Sequence, residues 1–357
     1  MALSNNAVRL SIQSEVGITN QIQWTSDLKQ TNWTVLTNLL VSQSPYDFVF
    51  PSPSPPGPPK FFRAVALYPG SGEPHSGFVL IPAGPFVMGN CMDTNEGAAD
   101  ELPLHTVNVS AFYMETNLVI YALWQYVYKW ATNNGYHFSW AGQGKAPNHP
   151  AQFMYWRDAL KWCNARSELE GRTPAYYTDS TQSEPYRTGW VTPDSSYVNW
   201  NAGYRLPTEA EWEKAARGGV AGKRFPWGNL ITHTNANYYS SGLQAYDVSS
   251  TRDYNPAFTN GVTPYTSPVG YFPANGYGLY DMAENVAEWC WDCYDSYPSA
   301  PQTDPRGPDN GSSRTMRGGS WGLEANYART SKRSYIPASY SDGADFGLGF
   351  RCVLPHP

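Results

Sequence analysis

The sequence predicts an α+β chain with little regular secondary structure, in which a small all-β segment precedes one larger domain. Three observations predict it. The chain has 357 residues, long for one domain and short for two large ones. Charged residues make up only 15%, and 31 Gly, 30 Pro, 26 Tyr and 14 Trp take their place, a loop-rich composition unlike that of a helical bundle or coiled coil. The hydrophobic pattern has period 2 at the N-terminus and helical period in only three later stretches.

The N-terminal strands come first. Val8–Ile12 and Ile22–Thr25 alternate apolar and polar residues, and Trp33–Leu36 and Phe61–Val65 follow between turn-rich stretches. This spacing predicts a sandwich-like β-module over 1–70. The proline-rich stretch 51–59 reads as a stiff loop inside that module. The Gly/Pro-rich segment 68–75 marks a boundary, with a linker over 71–77 and the larger domain over 78–357. Helices are expected over 117–133, over 156–169, and from Thr208, where Thr208-Glu-Ala-Glu211 forms a capping box and Gly218-Gly219 a C-cap.

Composition excludes several classes. Net charge is −6 and there is no lysine or arginine run, which argues against a nucleic-acid partner. No apolar run is long enough to span a membrane. Many Asn, Ser, Thr, Tyr and Trp and few Lys read as an exported protein, secreted, extracellular or periplasmic, although no signal peptide stands at the start of this chain. Of the five cysteines, Cys290 and Cys293 are the only close pair. They read as a local disulfide or as two packed thiols; a zinc site would need two further ligands that the sequence does not offer.

Eight motifs then occur in order: FVLIPAGPFVMG (78–89), YRLPTEAEWEKAAR (204–217), FPWG (225–228), SPVG (267–270), NGYGLYDM (275–282), NVAEW (285–289), RGGSW (317–321) and GFRC (349–352). Together they resemble the formylglycine-generating enzyme, or sulfatase-modifying factor, family across 76–354. The resemblance implies a calcium-bearing variant of the C-type-lectin fold. It also implies an oxidase that converts a sulfatase cysteine to formylglycine with copper and two cysteines, placed between the RGGSW-like and GFRC-like motifs. Here that segment, 322–348, contains no cysteine. Copper(I) requires soft thiolate ligands, so no copper is expected and the implied oxidase activity is not.

Further site expectations follow from the resemblance. Cys163 and Cys352 align with a structural disulfide. Asp281, Glu284, Asn285 and Glu288 are spaced i, i+3, i+4 and i+7, which reads either as the polar face of a helical stretch or as a calcium site. The implied ligands are the Asp281 and Glu288 side chains with the Glu284 and Val286 carbonyls. A second implied calcium set is the side chains of Asn237 and Asn260 with the carbonyls of Tyr238 and Val262, although Asn260 stands where the family usually has Asp. Calcium, one or two ions, is the cofactor expected.

No Walker loop, GxSxG, HExxH or other nucleophile–base arrangement appears. Loop aromatics remain: Trp140 before the second helix, and Tyr176, Tyr177, Tyr186, Trp190, Tyr197 and Trp200 between the second and third. The expectation is a non-catalytic protein whose lectin-like loops face a glycan or protein partner. The alternatives are a metal-dependent oxidoreductase or protein-modifying enzyme of the same superfamily, and self-association through the N-terminal module.

Overall fold

The computed structural model describes residues 7–12, 19–25, 34–40, 46–51, 61–67, 77–92, 96–337 and 347–357. The chain divides into two compact units, 1–76 and 77–357. The first contains β1 (Ala7–Ile12), β2 (Thr19–Thr25), β3 (Thr34–Leu40), β4 (Tyr46–Pro51) and β5 (Phe61–Leu67). β1 pairs antiparallel with β4, and β2 lies between β3 and β5 in a second antiparallel sheet. The stiff loop after Pro51 and the linker expected over 71–77 fall, but for Gly77, outside the described residues.

In the second unit the strands are short and scattered. β6 (Phe78–Ile81), β7 (Gly84–Met88), β8 (His105–Val109) and β9 (Phe112–Glu115) open it. β10 (Tyr239–Ser240), β11 (Asp253–Tyr254), β12 (Ala287–Cys293), β13 (Gln302–Thr303) and β14 (Ser313–Arg317) follow. β15 (Ser334–Pro337), β16 (Leu348–Gly349) and β17 (Val353–Pro355) complete it. The largest sheet has the order β15-β14-β12-β16; β13-β8-β7 and β17-β9-β6 form two smaller ones. All seven residues of β12 are buried, as expected of a strand covered on both faces.

Three α-helices support this framework: α1 (Tyr121–Thr132), α2 (Trp156–Leu169) and α3 (Glu209–Arg217). α1 starts later than its apolar pattern suggests. Residues 118–120 are extended because their backbone is committed elsewhere: Val119 N–H donates to the Phe350 carbonyl, and Ile120 bridges to Pro150. α3 has the expected caps. Thr208 Oγ1 accepts from Glu211 N–H, the Glu211 carboxylate accepts from Thr208 N–H, and Gly218 takes the left-handed conformation with φ 59°.

Two devices replace long strands as the source of order. One is aromatic packing: the Trp124 and Trp162 rings are stacked at 5.7 Å, 1° from parallel, and Phe350 meets both edge-on. The other is a set of buried guanidinium–carboxylate pairs: Arg166–Glu115, Arg205–Glu211, Arg317–Glu213, Arg329–Glu101, Arg333–Glu209 and Arg351–Glu288. All but Arg205–Glu211, six residues apart, tie segments distant in sequence. Removing one partner of such a pair strands a buried charge.

Candidate functional site

The first calcium set does not lie on a helix. Residues 281–286 form a loop that runs directly into β12, so the reading of a helical polar face is corrected. Asp281, Glu284 and Asn285 all take positive φ, at 54°, 68° and 74°, a conformation that side chains other than Gly and Asn resist. Neighbouring backbone holds them there. Glu284 N–H donates to the Gly318 carbonyl, Asn285 N–H to the Asn237 carbonyl, and the Asn285 side chain clasps both backbone groups of Ser267.

The carboxylates in this loop differ. Glu288 is fully buried and both its oxygens are held by Arg351, at 2.7 and 2.9 Å. Asp281 accepts from Gly270 N–H at 2.8 Å and has only a long contact, 3.4 Å, from the Asn285 amide. Burial pushes its carboxyl up to about 6, partly opposed by the Gly270 bond and Arg351. Glu288 thus has Arg351 as its ion-pair partner, and Asp281 has no ion pair among the described residues. Of the two carboxylates in the implied calcium set, Glu288 is taken up by Arg351, and Asp281 is the one whose oxygens remain available to a cation.

The Glu284 side chain was not legible as a feature in its own right. It is fully buried, neither oxygen has a hydrogen-bond partner among the described side-chain contacts, and its carboxyl lies against Gly319. Burial raises its pKa well above the usual carboxylate range, opposed by the backbone N–H of Ser320. The residues of the second calcium set differ in burial. Asn237 and Tyr238 are buried, with the Asn237 amide given to the Tyr265 carbonyl and the Tyr238 carbonyl facing His233. Asn260 is exposed and Val262 is 82% exposed. No hydrogen bond among the described residues joins the two pairs.

All five cysteines are thiols. Cys163 and Cys352 are buried with their sulfurs 3.9 Å apart. Burial, and then Cys163, push the Cys352 thiol up, which opposes the thiolate that copper needs. Cys290 packs in the core with Met88 and Trp212, whereas Cys293 Sγ faces the Gly311 carbonyl. The two sulfurs thus have different surroundings, and burial raises both thiols. No group of three or more His, Cys, Asp or Glu able to hold a metal occurs among the described residues.

The loop aromatics divide sharply. Tyr176, Tyr177 and Tyr186 are core residues, while Trp140 and Trp190 are 49% and 57% exposed. These two tryptophans flank half-buried Tyr155, with ring centroids 6.4 and 5.4 Å from it. The first turn of α2 fixes both loops. Asp158 accepts from the N–H groups of Ser139 and Trp140, and Arg157 donates to the Val191 carbonyl while lying over the Trp190 ring at 5.4 Å. The result is a preorganised, solvent-facing aromatic platform.

Two cavities lie elsewhere in this unit. One of about 370 Å³ is lined by Asp292, Cys293, His105 and Tyr297 among others; one of about 250 Å³ is lined by Trp200, Arg205 and His356. Pro305 and Arg306 belong to both. Neither cavity is signalled by a sequence motif.

Comparison with known proteins fits these features. Residues 66–355 match the model of the sulfatase-modifying factor enzyme 1-like domain. The formylglycine-generating enzyme of Streptomyces coelicolor is 30% identical over 310 residues, covering 81% of this chain and 94% of that protein. The chaperone protein LppX of Paenibacillus barcinonensis is 33% identical over 212 residues, covering 57% of this chain and 70% of LppX. Among solved structures, Treponema denticola variable protein 1 superposes with a TM-score of 0.56 at 28% identity, covering 78% of this chain and 94% of that one. The mixed α/β architecture, the ordered motifs and these matches agree: the chain belongs to the sulfatase-modifying factor, or formylglycine-generating enzyme-like, family.

Proposed function

We propose that this chain is a non-catalytic member of its family, an exported calcium-binding protein that presents the Trp140–Tyr155–Trp190 platform to a glycan. The observation that carries the reading is the platform itself. Two half-exposed tryptophans are locked by the first turn of α2, a cost in ordering that a binding surface gains by meeting in advance. Flat aromatic faces offer C–H-rich sugar rings a stacking surface, and Arg157 beside Trp190 adds a polar edge. The missing cysteines in 322–348 support the non-catalytic half of the reading. Asp281, whose carboxylate has no ion pair among the described residues, supports calcium, and on this reading the domain is the lectin-like variant that the motifs imply. Oxidation of the adjacent Cys163 and Cys352 thiols to a disulfide in an exported setting belongs to the same reading.

An array of immobilised glycans tests it, with wild type compared with Trp190→Ala. The expected result is a discrete set of glycans retained by wild type and bound at least tenfold more weakly by the variant. No bound glycan, or equal binding by both, would overturn it. The second reading, a metal-dependent protein-modifying enzyme, is favoured by the identity to formylglycine-generating enzymes over most of the chain; a redox metal at one ion per chain after purification would move it to first place.

A further inference from the structure

Glycine directly follows asparagine at four places, Asn134–Gly135, Asn260–Gly261, Asn275–Gly276 and Asn310–Gly311. Such a pair is chemically labile. Glycine has no side chain to shield its backbone nitrogen, and its backbone turns freely, so that nitrogen can reach the amide carbon of the asparagine before it. The reaction needs a mobile asparagine amide, an unengaged glycine N–H and room for the backbone to turn. The fold grants these to the four pairs very unequally.

Asn275 is locked. Its amide donates to the Ala215 and Ala216 carbonyls, its side-chain oxygen accepts from Tyr277 N–H and Leu279 N–H, and Gly276 packs against the Gly218 backbone. The Asn134 amide donates to the Trp130 carbonyl at 2.8 Å. Gly311 lies against the Cys293 side chain, with room for no further atom on that side. Asn260 and Gly261 differ from all three. Both are exposed, and Val262 beyond them is 82% exposed. Among the described residues neither the Asn260 side chain nor the Gly261 N–H takes part in a hydrogen bond. Nothing lies within 4 Å of where a Cβ on Gly261 would stand.

We propose that Asn260 is a site of spontaneous covalent modification, converted to aspartate and isoaspartate in the folded protein. The Gly261 nitrogen attacks Asn260 Cγ. The new N–Cγ bond forms, the Cγ–Nδ2 bond breaks, and ammonia leaves with the proton that the Gly261 nitrogen gives up. Water then opens the cyclic imide at either of its carbonyls. A water enters, an ammonia departs, and nothing is oxidised or reduced. Both products carry a carboxylate, so the exposed loop gains a negative charge. In the aspartate product that carboxylate stands in the second implied calcium set, in place of a neutral amide. This consequence rests on the calcium reading; the modification itself does not.

Incubation of the full chain at pH 8.5 and 37 °C, with samples digested in acid and mapped by mass spectrometry, tests the proposal whether or not calcium binds. Asn260 is expected to convert at least tenfold faster than Asn275, and faster than Asn134 and Asn310, with its aspartate and isoaspartate peptides separated by chromatography. In concentrated urea, where the fold no longer protects the other pairs, that tenfold lead is expected to disappear. Asn260→Gln, which lengthens the side chain and disfavours ring closure, is expected to lose the earliest acidic species in a charge separation at an unchanged melting temperature. No conversion at Asn260, conversion of Asn275 as fast as that of Asn260 in the folded protein, or a lead that persists in urea would each overturn the proposal.

Discussion

His149 illustrates how much a single side chain costs when it is buried without charge. Its Nδ1 pairs with Thr266 Oγ1 at 2.9 Å, and burial, followed by Lys145, lowers its pKa to about 4. The folded-state value lies below the unfolded one, so its contribution to stability is complete above about pH 6.5 and is lost as the pH falls towards 4. The span corresponds to roughly 3 kcal/mol. His149→Gln, which keeps a hydrogen-bonding group, is expected to flatten the acid limb of a melting-temperature profile; an unchanged slope between pH 7 and 4 would contradict this. At Glu284 the opposite change is expected to help. Glu284→Gly removes a buried carboxyl without an ion pair and relieves a left-handed backbone, for a gain of about 1 kcal/mol in denaturant unfolding. A loss of stability would mean that the Glu284 side chain holds something that the buried contacts do not reveal.

At the scale of elements, α3 is the hub. Its Glu213 carboxylate is shared by Arg217 in the same helix and Arg317 at the end of β14, and it also accepts from Gly89 N–H at 2.9 Å. Glu213→Ala takes the shared carboxylate from two buried guanidinium groups, leaving Arg217 the Gly89 carbonyl and Arg317 backbone carbonyls and a 3.5 Å contact with Glu209, and is expected to cost about 3–5 kcal/mol. By contrast, Thr208→Ala at the N-cap should cost only about 1 kcal/mol. Urea titration of both variants checks the ranking, and a Glu213→Ala loss no larger than that of Thr208→Ala would contradict it. The helix itself was readable from the sequence because its caps are local chemistry: Thr208, Glu211 and Gly218 act within a few residues of one another. Residues 281–288 misled for the opposite reason. Their helical spacing of acids is coincidental, and the conformation is set by partners far away in the chain, Gly318, Asn237 and Arg351.

At the scale of the larger unit, order comes from motifs that are far apart in the sequence and meet only in three dimensions. GFRC supplies Arg351 to Glu288 of NVAEW, and RGGSW supplies Arg317 to Glu213 of the third helix. This explains why the family was legible from eight short motifs, whereas the exposed Trp140 and Trp190 could not be told from the core tyrosines around them. Calcium at the 281–288 loop would add to this network by neutralising Asp281. Removing calcium with a chelator at pH 7.5 is expected to lower the melting temperature by about 5 °C, and restoring it to reverse the change. A melting temperature indifferent to chelator and to added calcium would remove that ion from the account. The central claim is that this family scaffold has been kept without its oxidation chemistry. Its most direct test is incubation of the protein with a sulfatase-derived cysteine peptide, copper and oxygen, followed by mass spectrometry for the aldehyde product. The account predicts no product above the protein-free control; repeated turnover to formylglycine would contradict it.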